Sequence, residues 1–337
     1  MAQSLAAFYR GKRVLVTGHT GFQGGWLVSW LKLLGAQVCG YGLPPASRPN
    51  FFDATVVDRG ITSIFADIRD RNALAAAFTE FQPEIVVHCA AQTGLEAAIQ
   101  DPVQTFAANT LGTVHILDEI RQTRSVRAAV ITSHVEPYQD RGWFWGDRKQ
   151  SFFDASGPVS SSFACAELAV SAHIKSFFSK TKTAVGVGRI PNLIGGGDWA
   201  EGRLIPELIR TITSNEPIVI TASGVAPWLH VIEVARAYLL LGEKLFKGQR
   251  PARGISDLQN PTRSTLAISF VASLTSGVKR KSRSNQKPAR MPTRFLAWTR
   301  ALRERSDGRL SSQLKKRSAG PWSGIAATIP IRIRHAA

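Results

Sequence analysis

The chain has 337 residues, 44% of them hydrophobic, which suits one large domain or two unequal ones and excludes disorder along the whole chain. Its formal charge of +18 is uneven: residues 250–337 carry 19 of the 42 basic and 3 of the 24 acidic side chains, so the first 249 residues are near neutral, with 23 basic against 21 acidic. Cys39, Cys89 and Cys165 stand far apart with no CxxC pair, which excludes a zinc finger, argues against a disulfide framework and predicts buried thiols; no metal-ligand set is expected.

Lys12–Thr17 is a short β-branched run followed by a glycine-rich turn. Trp26–Leu34 has apolar residues at helical spacing, and Gly35 stops it. Strands are predicted over Gln37–Leu43 and Ile61–Phe65, then an Ala-rich helix over Arg71–Phe81 ended by Pro83. Glu84–Ala90 reads as a fourth strand. Asp101-Pro102 opens a long helix to about Gln122, with Pro where its missing N–H costs little. Ala128–Thr132 is a fifth strand, Ser160–Ser179 a helix and Ala184–Arg189 a sixth strand. Strands alternating with helices of this length predict an α/β fold with a doubly wound parallel sheet.

The most informative motif is Gly18, Gly21 and Gly24, a GxxGxxG directly after the first strand and directly before the first long helix. Backbone amides at such a helix start face a pyrophosphate, and the helix dipole favours its charge. The end of the second strand carries no Asp or Glu for a ribose diol, so residue chemistry leaves NAD and NADP both open. Asp67, after the third strand, suits an adenine amino group and a turn or cap role about equally.

TGHTGFQGGWL, ADIRD (66–70), HCAAQ (88–92), DPVQTFAANTLGTVHIL, NLIGGGDWAEGRLIP (192–206) and PWLHVIE (227–233) resemble the extended short-chain dehydrogenase/reductase superfamily. Within it they are most similar to CDP-glucose 4,6-dehydratases, over roughly residues 8–248. The resemblance implies a Rossmann domain over 8–190 and a smaller, incomplete substrate lobe over 191–249 interleaved with it. It implies NAD held by Gly18, Thr20, Gly21, Phe22, Gly24, Asp67, Ile68, Ala90, Ala91 and Asn109. It implies a nucleotide-sugar lyase reaction in surface-polysaccharide synthesis. Hydride leaves sugar C4, water is lost across C5 and C6, and the hydride returns to C6. A homodimer pairing the helix after Asp101 with the helix from Ser160 is also implied.

At the catalytic positions the sequence departs from that pattern. The family's Tyr and Lys fall on Val159 and Phe163, and neither can move a proton. The motif after the fifth strand becomes Thr132, Ser133, His134 and Val135, so His134 stands where the acid is expected. Thr132 and Ser133 remain as substrate hydrogen-bonding candidates. Two arginines expected to meet the substrate diphosphate are Glu96 and Ala97 here, and a third is Ala226. Asn192 and Arg203 match positions near the diphosphate. The reading favoured is a dehydratase relative with impaired catalysis. Its alternative is an active epimerase or dehydratase using His134 and Glu136.

Residues 250–337 form a basic tail, rich in Arg and Ser and without strong periodicity. One reading is a nucleic-acid-binding arm. The other, favoured, is a shifted reading frame, because the resemblance stops abruptly between about Leu245 and Gly254. Ala297-Trp298-Thr299 must be encoded GCN-TGG-ACN. Read from the last base of the Ala codon, this gives Leu, Met or Val and then an obligatory Asp. With permissive codons, 291–322 in that frame resembles the family's own C-terminal segment. A chance tail would leave apolar surface exposed over residues 216–247. No apolar run reaches bilayer length and no leader pattern is present, so a cytoplasmic protein without membrane contact is expected.

Overall fold

The computed structural model describes residues 2–134, 157–214 and 228–249, and the backbone alone of 255–257. Seven parallel strands form one sheet in the order β3-β2-β1-β4-β5-β6-β9. They are β1 (Arg13–Thr17), β2 (Gln37–Gly42), β3 (Thr62–Phe65), β4 (Ile85–His88), β5 (Ala128–His134), β6 (Ala184–Ile190) and β9 (Ile255–Asp257). A separate parallel pair joins β7 (Asn192–Ile194) to β8 (Trp228–His230). The order reverses between β1 and β4, which places a crevice at the C-terminal ends of those strands.

Both faces of the sheet are covered, as its continuous apolar strands require. Val14, Val16, Val87 and Val130 point to one face, packed by α1 (Ala2–Tyr9), α2 (Phe22–Leu33) and α10 (Val231–Phe246). Leu15, Val86, Ala129 and Ile131 point to the other, packed by α4 (Arg71–Phe81), α7 (Gly112–Gln122) and α8 (Ser160–Phe177). Short helices α3 (Phe51–Thr55), α5 (Leu95–Gln100) and α6 (Pro102–Phe106), and α9 (Leu204–Thr213), complete the described elements.

The helix over Arg71–Phe81 forms with the predicted bounds. Asp70 caps it by accepting from the N–H groups of Asn72 and Ala73, and Gln82 ends it in the left-handed region at φ 49°. The long helix from Pro102 to Gln122 is interrupted by a π-helical turn over Ala107–Leu111, a rare insertion that re-aims side chains and clusters at functional sites. Helix α2 begins at Phe22, four residues before the apolar periodicity. Its first turn contains Gly24 and Gly25, and a Cβ on Gly25 would lie 2.5 Å from the Phe51 ring. β5 runs two residues past Thr132, so His134 closes a strand instead of starting a loop.

Three expectations need correction. Cys39 is buried, but Cys89 is half-buried and Cys165 is exposed on α8; all three are free thiols. The apolar surface expected over 216–247 is covered for its described helical part. Val231, Val234, Tyr238, Leu239 and Leu245 of α10 are buried against the sheet, and Tyr9 of α1 donates to the Leu239 carbonyl at 2.8 Å. Among the described residues after 190, the exposed large apolar side chains lie on α9, at Leu204, Ile209 and Ile212. Finally, β9 lies within the 250–337 segment, so the sheet takes up at least three of its residues beside β6.

Candidate functional site

The C-terminal ends of β1, β4, β5 and β6 open into a cavity of about 510 Å3. One end is the glycine turn. Gly18 has φ +72°, and a Cβ there would lie 2.8 Å from the Ala90 N. A Cβ on Gly24 would lie 2.1 Å from the Gly18 carbonyl oxygen, so side chains are sterically barred from both positions. Gly21 is the N-cap of α2, no side chain caps that terminus, and its first turn holds no acidic residue. The open amides and the dipole together suit an anion, so the turn fits the pyrophosphate of a dinucleotide.

Beneath this turn, a buried chain of hydrogen bonds ties β1 to β4. Thr113 Oγ1 spends its one hydrogen on the Asn109 carbonyl at 2.6 Å, so it can only accept from His88 Nε2 at 3.0 Å. His88 Nδ1 is then the acceptor for Thr17 Oγ1 at 2.7 Å, and the Thr17 oxygen accepts from the N–H groups of Cys89 and Ala90, each at 3.1 Å. Burial pushes His88 down to about 4, which keeps the ring neutral. His19, buried under Gly40 and 2.6 Å from Ser63 Oγ, is likewise pushed down to about 4 by burial.

The other end of the cavity is walled by the start of α8. Val159 and Phe163, half-buried, line it together with Thr132, Ser133 and His134 of β5. The Phe163 ring lies 6.4 Å from His134, centroid to centroid. Two polar groups on this wall, Asn109 and Ser133, are already engaged. Asn109, on the π-helical turn, accepts from Gln92 N at 2.7 Å and donates to Gln92 O and to Ser162 Oγ. Ser133 donates to Glu167 at 2.7 Å, and Glu167 accepts from Arg189 Nε at 2.9 Å and from its terminal nitrogen; all three residues are buried.

The remaining predicted residues divide. Ala90, Ala91, Phe22, Asn192 and Arg203 line the cavity. Thr20, Asp67 and Ile68 do not. Thr20 donates to the Leu43 carbonyl at 2.7 Å. Asp67 accepts from both the backbone and the guanidinium of Arg69, which hold its carboxyl below the usual range; the turn role is visible, and the cap is Asp70. Ile68 is buried against Gly112. Arg203 is the one Lys or Arg among the described lining residues, and it is held by Thr93 Oγ1 at 2.7 Å and Asp198 at 3.7 Å. Glu96 is exposed and bonded to Gln100. Glu136 and Ala226 lie outside the described residues.

Sequence reasoning missed the Glu167–Arg189 pair, the Thr17–His88–Thr113 relay and the Asp198 hold on Arg203. Their one visible signal is a charged or polar residue ending an apolar strand, as at His88 and Arg189.

The model of the NAD dependent epimerase/dehydratase family matches residues 14–253. The chain belongs to this family. It is 39% identical to the CDP-glucose 4,6-dehydratase of Salmonella typhimurium over 245 residues, 71% of this chain and 68% of that protein. Among solved structures, UDP-glucose 4-epimerase from Brucella ovis in complex with NAD matches at TM-score 0.68 and 19% identity, covering 84% of this chain and 88% of that one. The Thermus thermophilus UDP-glucose 4-epimerase complex with NAD matches at 0.64 and 22%, covering 85% and 93%. At these identities the two structures speak for the fold, which they share with this family member. Among the described residues no helix is long and apolar enough to cross a membrane.

Proposed function

We propose that this family member is a CDP-glucose 4,6-dehydratase relative that holds NAD and has lost turnover. The observation that carries the reading is the contrast between the two ends of one cavity. The glycine turn keeps every feature a pyrophosphate needs, while Val159 and Phe163 occupy the wall where a proton must be moved. When bound, NAD would supply the hydride chemistry at sugar C4. This chain's residues must then take the C4 hydroxyl proton, and neither Val159 nor Phe163 has a group to do so. Loss of one base typically costs about 10²–10⁴ in rate. Arg203, the one Lys or Arg among the described lining residues, is already shared with Thr93 and Asp198, so a substrate diphosphate competes with Asp198 for its charge. The 39% identity to the Salmonella enzyme favours a CDP-sugar as the ancestral substrate.

The test is to incubate the full chain with CDP-glucose and NAD and follow the 4-keto sugar by absorbance, with NAD binding measured by calorimetry in parallel. Binding without product is expected. Steady product formation would overturn the loss of turnover. It would favour the second reading, in which His134, lining the cavity beside Thr132, moves the proton. His134→Ala would then abolish the activity. The reading includes a homodimer, supported by exposed Val103 and Leu111 before and on the π-helical turn and exposed Leu168 on α8.

A further inference from the structure

We infer that the side-chain amide of Gln23 is a ligand contact, forming a hydrogen bond to the half of a bound adenine dinucleotide that lies on the β5 side of its pyrophosphate. The inference rests on the reading above that the glycine turn holds a dinucleotide. A ligand whose pyrophosphate sits on the N-terminus of α2, at the β1–β4 switch point, sends one nucleoside towards β2 and the other over β4 and β5. Gln23 is the second residue of α2, and it lines the cavity together with Cys89, which follows β4, and Thr132 of β5. Gln23 and Thr132 both turn to the hydroxyl of buried Tyr238, which puts the Gln23 side chain on the β4–β5 side of the glycine turn.

What singles out this amide is that the protein does not satisfy it. Gln23 Nε2 is buried and has no hydrogen-bond partner. The Tyr238 hydroxyl beside it donates to the Gly188 carbonyl at 3.0 Å, and Nε2 does not reach bonding geometry on its oxygen. Thr132 makes only a long contact of 3.5 Å to the Cys89 sulfur. A buried donor left unpaired destabilises a fold, and an apolar side chain of the same length would avoid that cost. The terminal torsion of a glutamine is soft, so a turn about it carries Nε2 from Tyr238 to a ligand in the cavity. That turn leaves Oε1 beside the hydroxyls of Thr132 and Tyr238, either of which can donate to it. A ribose hydroxyl and a carboxamide both carry an oxygen that accepts from Nε2, and the inner half of NAD brings both.

The experiment is calorimetric titration of the full chain and of Gln23→Met with ADP, ADP-ribose and NAD at one salt concentration, with thermal melts of both proteins without ligand. Gln23→Met should weaken NAD about three- to tenfold, the size of one net hydrogen bond, and leave ADP within about twofold. ADP-ribose weakening with NAD assigns the contact to the inner ribose, and ADP-ribose behaving as ADP does assigns it to the carboxamide; both outcomes uphold the inference. Without ligand the variant should melt no lower than the parent chain, because it removes a donor that the fold leaves unpaired. An unchanged NAD affinity, or equal weakening of all three ligands, would overturn the inference and leave the dinucleotide reading standing. A lower melting temperature for the variant would overturn it too, since the amide would then be bonded within the fold. Binding of none of the three by the parent chain would overturn both readings.

Discussion

His88 and His19 show how single residues set the conditions under which the cofactor crevice exists. Both are neutral in the fold, with burial pushing each down to about 4, whereas an unfolded histidine titrates near 6.5. Between those values the unfolded chain takes up protons that the folded chain refuses. Stability contributed by the neutral rings is therefore complete above about pH 6.5 and is lost as pH falls towards 4. Each ring should contribute a slope of up to about 1.4 kcal/mol per pH unit in that window. Burial shifts His173 and His230 the same way. Urea melts at pH 7, 6 and 5 should show the decline, and His88→Gln should reduce its slope. A flat profile would mean that the relay from Thr17 to Thr113 tolerates a charged ring.

At the scale of elements, the placement of α8 decides what the inner wall presents. Glu167 on α8 and Arg189 on β6 are both almost wholly buried, and Ser133 on β5 joins them. Breaking such a pair leaves a charge without its partner in a dry interior, at a cost of about 3–5 kcal/mol, whereas replacing both members by apolar residues can be nearly neutral. Glu167→Leu should accordingly lower the melting temperature far more than the double variant Glu167→Leu/Arg189→Met. Equal losses would show that the pair is not what seats the helix. The sequence foretold α4 to the residue because its signals are local: an Ala-rich run and a following Pro83. The glycine turn was legible for the same reason, since its geometry is set within seven residues. The Glu167–Arg189 pair was not, because it joins two elements and forms only once α8 has packed on the sheet. The π-helical turn at Asn109 has no local signature either. It is selected by bonds to Gln92 and Ser162, which come from the loop after β4 and from α8.

For the whole molecule, the question is where the folded chain ends. The family match runs to residue 253, and the main sheet gains one strand, β9, beyond the six predicted from the sequence. β6 is buried along its full length from Ala184 to Ile190, and β9 pairs with it at Val187, Gly188 and Arg189. A chain cut after residue 249 would leave those backbone groups on an open edge, which is a template for aggregation. A chain cut after residue 257 keeps the strand. The longer truncation should therefore remain soluble and melt above the shorter one, a difference that size-exclusion chromatography and thermal denaturation would report. Equal behaviour of the two would place the end of the folded unit before β9. Resequencing the gene across codons 240–337 complements this test. A single-base slip between about codons 245 and 254 would account for the abrupt end of the resemblance and the basic tail that follows. An open frame confirmed as it stands, with the same tail in a close relative, would make the charge of residues 250–337 a selected property and turn the next experiment to salt-dependent nucleic-acid binding.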